Sequence, residues 1–265
     1  MILNKKLNNA LCKRSVVKVI TGINNFNLNE IIVKAKAAEI AGATYLDIAA
    51  NVDILYQVKQ ISSLPICVSS IDIDELFICF RAGASILEIG NFDIFYKKGI
   101  TFSSDQLLKL AEQLIHRVPL ACICVTIPHT LELKEQISLA QKLEALGIDM
   151  IQTEGISSKI QSNSRLINSL NNASASLSST YVLAKFTNIP IISSSSINPL
   201  SAPIAISYGA SGVGIGSFLS NFHYPLDMSL VIRSIIQSMN DNLDLSTNSN
   251  SLVLSSILNQ SVSQA

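Results

Sequence analysis

"GASGVGIGSFLS", residues Gly209–Ser220, distinguishes between the two α/β folds that suit this 265-residue chain. Glycines stand at the alternate positions Gly212, Gly214 and Gly216, after a turn of small residues. A dinucleotide-binding α/β fold usually carries its glycines in the spacing G-x-G-x-x-G after the first strand. Here that spacing fails from Gly212 onward, and the stretch lies near the end of the chain. These two facts argue against a Rossmann fold.

The quoted stretch is instead the last of eight predicted strands, each of which is followed by a helical pattern. Glycine ends several of these helices just before the next strand, at Gly42, Gly83, Gly147 and Gly209. Repeated βα units in this number predict an α/β protein with a single-domain (β/α)8 TIM barrel. The predicted strands are Val16–Gly22, Thr44–Ala50, Pro65–Ser70, Ala84–Gly90, Pro119–Pro128, Ile148–Gly155, Ile189–Ser196 and Ser211–Ser217.

The barrel is predicted over residues 16–240, after an N-terminal lead-in over residues 1–15. Residues 241–265 are rich in Ser and Asn and are expected to form a polar, frayed tail. A long loop is expected after the fourth strand. After the sixth strand we expect a polar loop and then a helix over Ser176–Phe186.

The composition excludes several classes of function. Charged residues make up 14% of the chain, against about 25% in an average globular protein, so a sizeable core is expected. The 19 basic and 19 acidic residues cancel and Trp is absent, which argues against a nucleic-acid partner. Apolar runs such as Pro119–Pro128 are far shorter than the roughly 18 residues of a membrane span, so no membrane partner is expected. The N-terminus has no apolar signal core, and five cysteines without CxxC spacing indicate core or incidental thiols in a reducing compartment.

Charged residues on the predicted strands are the first candidates for a site. Active sites of TIM barrels lie at the C-terminal ends of the strands, and alternate strand residues point into the barrel. This parity predicts that Lys18, Asp47, Glu88 and Gln152 share the interior. Burying an unpaired charge is costly, so we expect these charges to pair. A Lys18–Asp47 or Lys18–Glu88 ion pair that fixes strand register and a catalytic role for the three charges are equally compatible with the pattern.

Two further residues suit acid–base chemistry. Glu154 in "IQTEG" ends the sixth strand and is the leading candidate for a general acid or base. His129 in "VTIPHT" follows the fifth strand and suits proton transfer. A structural hydrogen-bonding role for either residue is an equally open alternative. Carboxylates at Asp47, Glu88, Asp93 and Glu154 are chemically suited to Mg²⁺, but no metal-ligand spacing is present, and neither a metal nor a cofactor is predicted.

The glycine-rich stretch Gly209–Ser220 lies where many TIM barrels bind a phosphate. Many barrels bind the phosphate of a ligand on the loops after strands seven and eight, where small residues let the phosphate approach backbone N–H groups. Phosphate barrels more usually carry glycine in the seventh loop, where this chain has serine. The predicted phosphate-binding residues are Ser194, Ser195 and Ser196 on loop 7 and Gly214, Gly216 and Ser217 on loop 8.

Four quoted stretches carry a resemblance: "LEIGNFDIFY", "VTIPHTLELKEQ", "IQTEG" and "GASGVGIGSFLS". From about residue 16 to residue 239 the chain resembles a TIM-barrel family of algal plastid genomes and cyanobacteria, named for hypothetical chloroplast reading frame twenty-three. The resemblance implies a plastid-encoded protein of the chloroplast stroma, and it implies no particular reaction.

The sequence is therefore compatible with two functions. The first is an enzyme, a lyase, isomerase or synthase, that acts on a small phosphorylated metabolite. The second is a non-catalytic barrel that binds a metabolite or a partner in a regulatory or assembly role. Homo-oligomerisation stays open under both.

Overall fold

The computed structural model describes residues 5–90, 92–155 and 165–240. Within them, eight parallel strands close into a barrel in chain order, because the first strand pairs with both the second and the eighth. Helices cover the outside, which confirms the predicted (β/α)8 TIM barrel. The strands are β1 (Val16–Ile20), β2 (Tyr45–Ala49), β3 (Ile66–Ser70), β4 (Ile86–Ile89), β5 (Cys122–Ile127), β6 (Met150–Thr153), β7 (Ile191–Ser193) and β8 (Gly212–Ile215).

Several helices begin and end where the local sequence provides caps. The side chains of Asn27 and Asp72 accept hydrogen bonds from backbone N–H groups of a first turn, and Ser103 forms a capping box with Gln106. Gly147 ends a helix with a φ of 87°. The helices are α1 (Lys5–Cys12), α2 (Leu28–Ala41), α3 (Val52–Lys59), α4 (Ile73–Arg81), α5 (Asp93–Tyr96), α6 (Ser104–Arg117), α7 (Leu133–Leu146), α8 (Arg165–Phe186), α9 (Ala202–Ser207), a 3₁₀ helix over Ser217–Asn221, and α10 over residues 225–240.

The structure differs from the sequence prediction in three elements. The short helix α5 lies within the long loop expected after the fourth strand. Helix α8 begins at Arg165 rather than at Ser176, because its first turns are rich in Asn and Ser and lack a strong helical pattern. The predicted lead-in contains α1. The predicted tail over 241–265 lies outside the described residues.

Helix α1 closes the N-terminal end of the barrel. Its buried residues Leu7 and Leu11 pack with Val16, Tyr45 and Ile192, whose side chains face the barrel interior. Burial of two leucines against an apolar interior layer stabilises this arrangement by several kcal/mol, at about 1.5–3 kcal/mol for each side chain. A ligand therefore has to enter the barrel from its C-terminal end.

The glycines of the opening stretch are required by packing in the barrel. Gly212 pairs with Val16 in the register of β8 with β1, and a Cβ on Gly212 would lie 2.3 Å from Val16 Cβ and 2.4 Å from Val16 O. A Cβ on Gly214 would lie 2.8 Å from Ser194 Oγ. The alternate spacing of these two glycines thus follows from the strand parity that brings both positions to the crowded interior.

Four of the five cysteines are buried and one is exposed. All five cysteines are free thiols, and Cys67, Cys122 and Cys124 are buried in the barrel interior. Cys79 is buried under the helices and Cys12 is exposed, so the expected core or incidental role holds for each position. Among the described residues, no helix has both the length and the apolar character that crossing a bilayer requires.

We expect Gly212→Ala to lower the free energy of unfolding by about 3 kcal/mol or more, because the new methyl overpacks against Val16. Urea denaturation followed by circular dichroism measures the change. Ser211→Ala, one residue earlier and only partly buried, is the matched control and should change stability by less than about 0.5 kcal/mol. Equal stability of the two variants would contradict the packing explanation.

Candidate active site at the barrel mouth

A cluster of charged and amide side chains fills the interior of the barrel, and we call Lys18, Asp47, Glu88 and Gln152 the interior cluster. Lys18 Nζ lies 3.3 Å from Asp47 Oδ2 and donates hydrogen bonds to Glu88 Oε2 and, at 2.8 Å, to Gln152 Oε1. All four residues are at most 1% exposed. The two ion pairs that the sequence offered as alternatives therefore form together, on strands β1, β2 and β4.

Further hydrogen bonds hold the carboxylates of the interior cluster in place. Ser69 Oγ donates to Asp47 Oδ1 at 2.5 Å, and Thr126 Oγ1 donates to Glu88 Oε1 at 3.0 Å. Gln152 Nε2 donates to the same Glu88 oxygen at 2.8 Å. Glycine is required just after β4, because a Cβ on Gly90 would lie 2.1 Å from Thr126 Oγ1. Six strands, β1 to β6, thus contribute to one network of satisfied buried polar groups.

The charges of the interior cluster determine its protonation. Burial by itself lowers the pKa of Lys18, but the charges of Asp47 and Glu88 outweigh burial and raise that pKa well above its ordinary value. Burial also raises the pKa of Asp47 to about 6, with a further contribution from Glu88, against the opposing charge of Lys18. The ammonium of Lys18 is therefore protonated, and Asp47 titrates close to neutral pH.

Two carboxylates of the interior cluster, together with Cys67, form a group that could hold a metal ion. Ligand atoms of Asp47, Cys67 and Glu88 lie within 4.8 Å of one another, a spacing that suits a metal ion. The two carboxylates already bind a cation, the ammonium of Lys18, and burial raises the pKa of the Cys67 thiol well above its ordinary value. A neutral thiol is a poor metal ligand. The Lys18 ammonium thus provides the positive charge at this position.

Glu154 forms a second cluster with His129 and Tyr96 at the C-terminal end of the barrel. Three donors converge on Glu154 Oε1: the Tyr96 hydroxyl, the His129 backbone N–H at 3.0 Å and His129 Nδ1 at 3.1 Å. The rings of Tyr96 and His129 pack edge to face, with centroids 4.8 Å apart. The sequence predicted Glu154 and His129 as site residues but did not predict Tyr96. Tyr96 lies on α5, a helix that the sequence analysis treated as part of a long loop.

A cavity of about 380 Å³ opens at the C-terminal end of the barrel, and we call it the mouth pocket. Gln152 lies on its wall and links it to the interior cluster, while Lys34 and Lys97 bring positive charge to it. Gly214 lies in β8 and His129 behind Glu154, and neither is part of the wall. The predicted site residues that line the mouth pocket are Glu154, Ser194, Ser195, Ser196, Gly216 and Ser217.

The backbone of loop 7 explains how serine replaces glycine there. Ser195 and Ser196 both adopt left-handed conformations, with φ of 77° and 56°. A non-glycine residue in this region costs about 1 kcal/mol or more, and such strain is concentrated at functional sites. Loop 7 therefore has the backbone of a glycine loop, with hydroxyls added at the edge of the mouth pocket.

Lys34 is the functional candidate that sequence reasoning missed most clearly. It lies on α2, is 8% exposed, and lines the mouth pocket. Burial lowers the pKa of its ammonium, and the charge of Glu30 only partly opposes this shift. The segment "VKAKAA" carries Lys34 and Lys36 two positions apart, and only the docking of α2 buries the first and exposes the second.

The fold and the site together define a TIM-barrel protein with an internal ion cluster and a polar pocket at the C-terminal mouth. Residues 2–245 match the family model described as "Protein of unknown function (DUF561)". The chain belongs to this family, which agrees with the resemblance found in its motifs.

Relatives and solved structures are similar over most of the chain. "Uncharacterized protein ycf23" of Antithamnion sp. is 45% identical, covering 91% of this chain and 90% of that one, and its namesake in Porphyra purpurea is 41% identical, covering 97% of each. The (S)-3-O-geranylgeranylglyceryl phosphate synthase of Thermoplasma acidophilum has a TM-score of 0.61 at 12% identity, covering 91% of this chain and all of that one. Thiamine phosphate pyrophosphorylase of Pyrococcus furiosus has a TM-score of 0.56 at 16% identity, covering 87% and 98%. At these identities the two structures are similar in fold alone.

The raised pKa of Asp47 predicts a pH-dependent stability. The folded state retains this proton up to about pH 6, whereas the unfolded chain releases it near pH 4, so the stabilisation is complete below about pH 4 and is lost as the pH rises through about 6. Relative to Asp47→Asn, the free energy of unfolding of the wild type should fall by about 2 kcal/mol between pH 4 and pH 7. Urea denaturation at a series of pH values measures this difference. The exposed Asp53→Asn is the control, and a wild-type curve parallel to that of Asp47→Asn would contradict the assignment.

Proposed function

We propose that this protein is an enzyme that acts on a small phosphorylated metabolite, as a lyase, isomerase or synthase. The observation that carries the proposal is the mouth pocket itself. One cavity of about 380 Å³ brings the loop 7 and loop 8 residues together with Glu154 and, through Gln152, with the interior cluster. Such a cavity is of a size that holds a small ligand.

The phosphate of this ligand binds at loops 7 and 8 in the proposal. Gly216 has no side chain to block the approach of an anion, and the exposed Ser217 follows it. Ser194, Ser195 and Ser196 add hydroxyls from the strained loop 7. Gly214 supports this site from below, where its missing Cβ leaves room for Ser194. A solved barrel of similar fold, the synthase of Thermoplasma acidophilum, is described in complex with sn-glycerol-1-phosphate, which is in keeping with a phosphate ligand.

Glu154 acts as the general acid or base in this proposal. Three donors fix its Oε1 in one orientation, and Oε2 is then the oxygen that exchanges a proton with the ligand. His129 and Tyr96 hold the carboxylate and redistribute the proton within the cluster. Acid–base chemistry at one carbon or oxygen of the ligand is common to lyases and isomerases.

Lys18, Asp47 and Glu88 contribute from beneath the pocket. The ammonium of Lys18 is bound by two carboxylates and an amide oxygen and stays protonated, so it is not available as an amine nucleophile. Its proposed role is to keep Gln152, which lines the pocket, in one orientation and to contribute to the electrostatic potential below the ligand. Trapping with borohydride in the presence of carbonyl metabolites is accordingly expected to leave Lys18 unmodified.

The alternative function is a non-catalytic barrel that binds a metabolite or partner in a regulatory or assembly role. The strain in loop 7 is compatible with both functions, because a binding site also needs an organised loop. We further propose the chloroplast stroma as the location, on the strength of the family resemblance.

Gly216→Asp should abolish binding of phosphorylated ligands, because a carboxylate at the pocket repels a phosphate. We expect wild-type protein to gain thermal stability with at least one member of a panel of phosphate monoesters that includes sn-glycerol 1-phosphate, and the variant to gain none. A Cβ at position 216 would lie 3.2 Å from Ile20 Cβ, so Ser217→Asp, compared with its uncharged control Ser217→Asn, separates charge from packing. Unchanged binding in both aspartate variants would refute the phosphate site.

Glu154→Gln separates catalysis from binding. The variant should keep the ligand-induced gain in thermal stability but lower turnover by a factor of about 10² to 10⁴, the range expected for loss of a general acid or base. Ligands that stabilise the wild type are incubated with each protein, and products are detected by nuclear magnetic resonance. Glu112→Gln, an exposed carboxylate on α6, is the control. Stabilisation of the wild type without any product would favour the binding protein over the enzyme.

A further inference from the structure

Lys34 is a buried cation at the wall of two cavities. It lies on α2 with only 8% of its surface exposed, and it lines both the mouth pocket and a neighbouring cavity of about 330 Å³. A buried ammonium loses most of its hydration, and this loss has to be offset by hydrogen bonds or by an opposite charge. The contacts of its Nζ atom therefore show how much of the lost hydration the protein itself replaces.

In the described part of the chain this ammonium forms no ion pair, and the nearby charge of Glu30 offsets its burial only in part. Its hydrogen bond there goes to the backbone carbonyl of Thr21 at 3.5 Å, the outer limit for such a bond. No carboxylate of the described residues lies within 4.0 Å of Nζ. Glu30, one turn earlier on α2, instead accepts hydrogen bonds from Asn25 and Asn27 at 3.4 Å and 3.1 Å.

Lys18 and Lys34 differ in what surrounds their ammonium groups. Lys18 is completely buried, whereas Lys34 keeps 8% of its surface exposed. Two carboxylates and the Gln152 amide oxygen surround the Lys18 ammonium, which leaves no charge for a ligand. Lys34 lines a cavity, and the hydrogen bond of its ammonium in the described part of the chain is the long one to the Thr21 carbonyl. Of these two buried lysines, Lys34 is the one equipped to bind an anion from solution.

The charge distribution selects the mouth pocket over the neighbouring cavity. Glu30 and Lys34 both line the neighbouring cavity, so the carboxylate of Glu30 repels an anion there. In the mouth pocket, Lys34 shares the wall with Gly216, Ser217 and Ser220 of loop 8. The mouth pocket has a carboxylate as well, Glu154, but two lysines, Lys34 and Lys97, line it, whereas Lys34 is the lysine beside Glu30 in the neighbouring cavity. An anion placed beside loop 8 thus meets a cation and small polar residues.

We propose that the Lys34 ammonium binds the phosphate group of a phosphomonoester dianion beside loop 8, so that a residue on α2 selects the substrate class. This inference rests on the proposed function, because it names the group that recognises the phosphate of the same ligand. Charge-assisted hydrogen bonds to a phosphate oxygen replace the hydration that Lys34 loses on folding. An uncharged analogue leaves the ammonium without a partner and is rejected.

The test measures binding of inorganic phosphate and of sn-glycerol 1-phosphate by thermal shift and calorimetric titration. Lys34→Met should weaken binding of both by about tenfold to hundredfold, the effect of losing a hydrogen bond to a charged group. Glycerol, which lacks the phosphate, should bind neither protein. Without phosphate, Lys34→Met should melt at or above the wild-type temperature, because it removes a desolvated charge, and this separates loss of binding from loss of folding.

Two matched lysines provide the controls. Lys36→Met removes an exposed charge from the same helix, and Lys97→Met removes an exposed charge from the mouth pocket itself. Lys36→Met should bind phosphate within about threefold of the wild type, in the range of a screened surface charge. Lys97→Met removes a charge of the pocket wall and should weaken binding less than Lys34→Met does, because solvent screens the exposed Lys97. Equal binding by Lys34→Met and the wild type, or a larger loss in Lys97→Met, would overturn the role of Lys34 while the proposed function stood. If the wild type bound no phosphomonoester, both the role of Lys34 and the proposed function would be wrong.

Discussion

The barrel depends on one constraint, namely that the charges in its interior have to satisfy each other. Lys18 on β1 meets Asp47 on β2 and Glu88 on β4, and Gln152 on β6 closes the network. A slip of any of these strands by one residue would turn its charged side chain outward into the apolar layer beneath the helices, where it would have no partner. A buried ion pair contributes little net stability when compared with apolar residues, but removal of one partner leaves a buried charge unpaired, so a shifted register would be costly. The same register brings the ends of β6, β7 and β8 to the mouth pocket.

The two buried lysines have different consequences because their surroundings differ. Lys18 is neutralised within the barrel, and its two carboxylates share one cation, which is why burial and Glu88 raise the pKa of Asp47 to about 6. Lys34 lies at the mouth, and its ammonium faces a cavity instead of a carboxylate. The first lysine is suited to hold the protein's own charges, and the second is suited to take a charge from a ligand. The strained serines of loop 7 lie on the wall of the same pocket.

Much of the fold follows from local sequence, and the departures have physical causes. The eight strands were predictable because buried strands of β-branched residues alternate with capped helices, and glycine marks the junctions. Helix α5 and the start of α8 were not predictable, since one is only four residues long and the other begins with poor helix formers. In the site, strand parity was enough to predict that Lys18, Asp47, Glu88 and Gln152 share the interior. Tyr96 and Lys34 lie on helices, where nothing in the sequence distinguishes a pocket residue from any other polar residue on the helix surface.

The barrel, the side of each strand that faces inward, and the loops at the mouth are all predictable from the sequence, because they follow from the period of two along a strand and from the order of the elements. The sequence also determined that Gly212 and Gly214 lie on one face. The folded structure was needed to show that these two glycines serve packing, whereas Gly216 borders the pocket. Only the tertiary structure joined both ion pairs of Lys18 and left the ammonium of Lys34 facing a cavity. The reason is that pairing and desolvation depend on distances between residues far apart in the chain, which no local pattern encodes.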